Sequence, residues 1–232
     1  HKFGLQPDGS LRYRTNNDVL VKCWGVDSER LEVDGANLHI TLGLPAQHRE
    51  RTIQEGMLPI GVTTWDVGAG SIEQIAFATA LGGTSPDGPA PAADESGVCM
   101  MRLSFTGEGE FTLQIGCSAG DEAEGLSVDS GGLIRVGDKL RACVEIGDKG
   151  ELWAEGAGLA YRVTLAGETH SVTLKVPYVW LEGEEIRKLR ALEFGREREA
   201  VAGYWRRVLT GGMQLVTPEV ELNEFCAAVA GH

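Results

Sequence analysis

The side chains in this sequence best equipped to meet a ligand are its tryptophans, Trp24, Trp65, Trp153, Trp180 and Trp205, and a few clustered cations. An indole face stacks on flat, partly apolar ligands such as a sugar ring, while charged neighbours hydrogen-bond its hydroxyls. Strand parity sorts the five. Tyr178 and Trp180 continue an inward series that starts at Val172, and Trp205 falls on the apolar side of a helix, so these read as packing residues. Trp24 runs out of phase with Val19, Val21 and Cys23, and Trp65 stands among the threonines of 62-VTTWD-66, so these two are the candidate ligand contacts. Arg49 and Arg51 join them from 47-QHRERTIQEG-56, which reads as a polar loop. The competing reading of each is ordinary: a tryptophan covered by a second sheet, and arginines in a solvated connection.

Other chemistries find less support. Hydrolysis of a glycosidic bond needs two convergent carboxylates. With 34 Asp and Glu the pairs are too many to choose among, and Asp94-Glu95, Asp121-Glu122 and Glu184-Glu185 sit in loops or at a helix start, where they read as solvated groups. No catalytic residue is assigned. The five histidines form neither HExxH nor HxH and are too far apart in sequence for a local ligand set, so no metal is expected. There is no P-loop, and no GxGxxG entering a helix, so no cofactor is expected either.

A net charge of -13 argues against nucleic acid and anionic membrane as partners, since phosphates are repelled by an acidic surface. No apolar run approaches the roughly 20 residues that cross a bilayer. The five cysteines are scattered without CxxC spacing, which reads as buried free thiols rather than a disulfide framework or a zinc site. The sequence assigns no compartment. At 232 residues the chain can bury one large core or two small ones.

The elements that must position these residues are mostly strands. From Leu11 to Leu181 the apolar period is two, with candidates at Val19–Cys23, Ile40–Leu44, Met101–Phe105, Phe111–Cys117, Ala142–Ile146 and Val172–Val176. Turn signals punctuate them at Asp34-Gly35, 107-GEGE-110, Gly131-Gly132, Gly137-Asp138, Asp148 to Gly150 and Ala166-Gly167. The stretch 82-GGTSPDGPAPAADESG-97 reads as a long loop. Many short strands without interleaved helices predict a mainly β fold, a large antiparallel β-sandwich of two stacked sheets over residues 1–181. Residues 182–232 then change period. Acidic 182-EGEE-185 suits a helix start, with Ile186, Leu189 and Leu192 following at helical spacing. Phe194, Val201, Tyr204, Trp205 and Val208 share one face of a second helix, closed by Gly211-Gly212. A third begins at Thr217-Pro218 with Leu222, Phe225 and Val229 on one side, and is expected to be the start of a further helical domain, the competing reading being a C-terminal cap folded onto the sandwich.

The run 172-VTLKVPYVWLEGEEIRKLRALEFGREREAVAGYWRRVLTGGMQLVTPEVELNEF-225 resembles the connection between the N-terminal β-sandwich (supersandwich) and the (α/α)6 barrel of bacterial six-hairpin glycosidases. In those proteins a last sandwich strand reaching "KVPY" leads through linker helices with "YWR" to a "P-x-x-x-LN" barrel helix. The run 56-GMLPIGVTTWDVGAGSIEQIAFATAL-81 is similar to a pair of adjacent long strands in the same sandwiches. Together they cover about a third of the chain. The resemblance implies a non-catalytic sandwich that packs against a helical catalytic barrel, the reacting carboxylates lying on barrel loops outside this chain. Two rivals stand beside it: a carbohydrate-binding module marked by an exposed aromatic platform, and a self-contained glycan-cleaving enzyme marked by two convergent carboxylates.

Overall fold

The computed structural model describes residues 3–5, 11–14, 20–23, 37–42, 47–68, 70–89, 91, 95–118, 126–156, 158–178 and 181–211. Among these, β1 (Phe3–Leu5), β2 (Leu11–Arg14) and β3 (Leu20–Cys23) form a small antiparallel sheet in that order. The next ten strands build one open antiparallel sheet: β4 (Asn37–Leu42), β5 (Gln47–Ile53), β6 (Ile60–Val67), β7 (Gly70–Ala80), β8 (Gly97–Ser118), β9 (Leu126–Val128), β10 (Leu133–Val136), β11 (Lys139–Glu145), β12 (Glu151–Glu155) and β13 (Gly158–Pro177). Their order is β5-β6-β7-β8-β13-β11-β10-β9, with β4 beside the last third of β8 and β12 beside the first residues of β13. Helices α1 (Glu184–Ala191) and α2 (Phe194–Gly211) follow. The long strand pair implied by residues 56–81 is present as β6 and β7, in register from Ile60↔Phe77 to Val67↔Gly70.

Two expectations differ from what is found. The stretch 107-GEGE-110 is no hairpin turn, because β8 runs through it for 22 residues while β13, 20 residues long, pairs with it on both sides. The glycines bend the ribbon instead of reversing it. Gly107 and Gly109 hold φ of 139° and 112°, and opposite them β13 shifts register between Ala166 and Thr169 around Gly167, φ 101°. The bend is sharp. Tyr161 and His170 lie nine residues apart on β13, about 30 Å of extended chain, yet their rings are 6.4 Å apart at 14°. Phe105 and Phe111 on β8 likewise meet at 5.6 Å. One continuous sheet therefore folds its far half toward its near half. Second, 47-QHRERTI-53 is not a loop but strand β5, bulged between His48 and Glu50. Its polar side chains hid it, since a strand with one neighbour among the described residues need not carry an apolar alternation.

The bend decides where the core sits. Odd-numbered β8 residues Met101, Leu103, Phe105, Phe111, Leu113 and Ile115 face inward, together with Trp65, Ile72, Tyr161, Val163, Val172, Leu174 and Val176, and all are buried. Burial pushes the Tyr161 phenol well above its ordinary value. On the near half, the outer face carries a second cluster of Ile60, Ile75, Phe77, Val98, Met100, Leu140 and Cys143, covered by Leu189, Leu192, Phe194 and Val201 from the helices. Each such apolar side chain contributes roughly 1.5–3 kcal/mol when removed from water. Cys99 and Cys143 are buried, and desolvation pushes the Cys143 thiol up, the nearby Lys175 ammonium pulling the other way.

Polar residues fix where the helices sit. Across β8 and β13 the outer face carries a ladder of side-chain bonds: Thr106–Thr169 at 2.9 Å, Ser104–Ser171 at 3.0 Å, and Arg102 Nε donating to Thr173 at 3.0 Å. Arg102 then lies 4.1 Å over the Phe194 ring. Fully buried Lys175 donates to the Arg190 carbonyl at 2.9 Å and pairs with Glu145 at 2.5 Å, placing a cation at the negative end of α1. Glu197, in the first turn of α2, is buried and accepts from the Thr79 hydroxyl at 2.7 Å and the Thr84 amide at 2.9 Å. The helix is thereby tied to the turn leaving β7. Farther along, Arg198 donates to Gln54 at 2.9 Å and Arg206 grips Glu55 with two nitrogens.

Candidate functional site

The sequence-predicted contacts are distributed as follows. Trp24 lies outside the described residues. Arg49 falls at the bulge of β5. Arg51 stands half-buried opposite Thr63, and so on the same inner face as Trp65, which is 0 % exposed inside the core. Trp65 and Arg51 thus share a face of the sheet, but Trp65 has no surface to offer a ligand. Next to Thr63, Gln74 is buried with neither amide atom hydrogen-bonded. Of the carboxylate pairs, Glu95 accepts from the Gly82 amide, Glu184 pairs with Arg187 and Glu185 accepts from the Glu182 amide, while Asp94, Asp121 and Glu122 lie outside the described residues. His170 binds the Ile146 carbonyl at 2.8 Å.

The fold instead presents Trp153. The stretch 151-ELWAE-155 forms β12, delivered by the turn at 148–150 and closed by a tight connection in which Gly156 takes φ 60°. Period two sends Leu152 to the inner core and Trp153 to the opposite, outer face of the far half. No helix among the described residues covers that face: Arg162, Thr164, Glu108 and Glu110 there are exposed. Trp153 sits opposite Ala160, which is buried. Glu151 sits opposite Arg162 and bonds it at 3.0 Å. Glu110 approaches the same guanidinium at 3.8 Å. Arg162 in turn lies 5.3 Å from the Trp153 ring centroid, a looser approach than the 4.1 Å of Arg102 on Phe194.

These ion pairs join side chains 45 to 69 % exposed, so they add little to stability. Their effect is positional: a guanidinium is held over one face of a half-buried indole, between two carboxylates. Such a surface offers one apolar plane with donors and acceptors beside it. Sequence parity carried the signal for Trp153, since the alternation Glu151, Trp153, Glu155 around inward Leu152 already marks an outward tryptophan between acids. A motif match also calls for placement. The spacing of 116-GCSAG-120 is that of a serine nucleophile elbow, which turns sharply from strand into helix. Ser118 ends antiparallel β8, opposite Asn37, and residues 119–125 lie outside the described residues.

Compared with protein-family models and with curated proteins, the chain matches none. What the fold defines is a class: a large open antiparallel sheet with a helical pair docked on its outer face.

Proposed function

We infer that this chain is the non-catalytic N-terminal sandwich and linker of a glycoside-hydrolase-like protein, whose helical barrel carries the reacting carboxylates. The observation supporting this is the way the chain leaves the sheet. Strand β13 ends at Val176-Pro177, Tyr178 is still buried, and within a few residues the chain enters α1 and then α2. Both helices are clamped to the sheet by apolar burial and by Lys175 and Glu197. A rigid exit of this kind directs whatever follows it. Buried carboxylates and cations here are engaged in holding helices to strands, which suits a scaffold better than a reaction centre.

The test is twofold. The coding sequence beyond His232 is expected to read as a long helical repeat, and the 232-residue chain is expected to release no reducing ends from any glycan. A stop codon directly after His232, or turnover by the isolated chain, would overturn the reading.

A further inference from the structure

We propose that Trp153, flanked by Arg162, Glu151 and Glu110, is a surface binding site for neutral glycan chains. The inference rests on the reading of the chain as part of a glycan-cleaving protein and gives it a specific means of holding substrate away from the reaction centre.

A pyranose ring has a face of C–H groups and a rim of hydroxyls. The first stacks on an aromatic plane, the second exchanges hydrogen bonds with charged groups at its edge. Trp153 is half-exposed on a polar sheet face, where the indole supplies the plane. Arg162 lies over one face of the ring, 5.3 Å from its centroid, which assigns stacking to the opposite face, and Glu151 and Glu110 supply acceptors while fixing that guanidinium in place. A strand face is flat and extended, which fits a run of sugar units better than a single small molecule. The charge selects among glycans. Two carboxylates surround one guanidinium, and the whole chain carries -13, so acidic polysaccharides are repelled and neutral ones are not. The other half-buried tryptophan described, Trp205, packs against the helix-covered core and edge-on to Tyr204.

Affinity electrophoresis of the whole chain in gels containing hydroxyethyl cellulose, mixed-linkage β-glucan, xyloglucan, arabinoxylan, galactomannan or soluble starch tests this, with polygalacturonate as the acidic comparison. Retardation by at least one neutral polysaccharide is expected. Trp153→Ala should weaken it about tenfold, the cost of losing one stacking plane, whereas Trp153→Phe should keep most of it. Should Trp153→Ala fold poorly, hydroxyl-radical footprinting of the unaltered protein carries the test, and the retarding polysaccharide should protect Trp153 from oxidation. No retardation by any neutral polysaccharide, retardation by polygalacturonate alone, or binding that neither involves nor protects Trp153 would each overturn the proposal. All of these outcomes are independent of the coding sequence beyond His232 and of turnover, so the site and the wider reading can fail separately.

Discussion

Replacing Gly109 or Gly167 with alanine tests the bend that organises the sheet, and replacing Gly195 supplies the control. A Cβ on Gly109 or on Gly195 would meet nothing within 4 Å, and on Gly167 only the end of the Glu108 side chain at 3.8 Å. Sterically the three are equivalent. Their backbones are not: Gly109 and Gly167 hold φ of 112° and 101°, outside the ranges open to L-residues, whereas Gly195 is in the first turn of α2. Alanine at either bend glycine should therefore cost about 1–3 kcal/mol as backbone strain. Alanine at Gly195 should gain up to about 1 kcal/mol by restricting the unfolded chain. Urea denaturation followed by circular dichroism and tryptophan fluorescence measures these differences, and each kcal/mol moves Tm by roughly 2–4 °C in a chain of this size. Opposite signs at sterically equivalent sites are the signature. If Gly109→Ala and Gly167→Ala were both as harmless as Gly195→Ala, the ribbon would not owe its bend to positive φ, and the folded-over inner core would need another cause.

Three further outcomes follow from single side chains. Glu197→Ala should destabilise by about 2–3 kcal/mol, since it removes two hydrogen bonds to a carboxylate and strands the Thr84 amide, while Glu197→Gln should cost clearly less; equal losses in denaturant titrations would refute a hydrogen-bonding role. Gln74→Met should raise stability by about 1–2 kcal/mol, because an amide that is buried and unbonded is replaced by an apolar chain of similar size; a loss of stability would point to a bound water or other partner. The Glu168 carboxyl, held by Lys149 and by the amides of Glu168 and Ala166, should titrate at about 2 against an ordinary 4.5. Its folded-state value is depressed, so its stabilisation is present above the ordinary value and is lost as pH falls through about 2; carboxyl-carbon NMR should record that midpoint, and Lys149→Ala should raise it.

What could be read in advance was what burial writes into a sequence. Alternation located β8, β11 and β13 because one of their faces is apolar, and the helical spacing of Leu189, Phe194 and Val201 located α1 and α2 because they dock on Val98, Met100 and Phe77. Long-range geometry leaves a fainter trace. Glycines at 107, 109 and 167 announce positive φ but do not tell a reversal from a bend; that depends on β13 continuing alongside β8 through the same point. Strand β5 escaped because its residues are polar, and Trp65 was misjudged as a ligand candidate because threonine neighbours suggest a wet surface, whereas Thr63 is itself buried. Trp153 was legible by parity alone, but parity does not say which outer face the helices cover.

The bend gives the two outer faces of the sheet different surroundings. A sheet bent at its middle has one shared inner face and two outer ones, and the helices occupy the outer face of the near half, where Lys175 and Glu197 hold them. The outer face of the far half keeps Arg162, Glu110, Glu151 and Trp153 at the surface. The same ladder of cross-strand pairs spans both regions, but its chemistry changes across the bend, from Arg102–Thr173 beneath a phenylalanine to Arg162–Glu151 beneath a tryptophan. In the first case the aromatic ring comes from a helix and seals the face. In the second it comes from the sheet itself, and it is there that the glycan site is proposed.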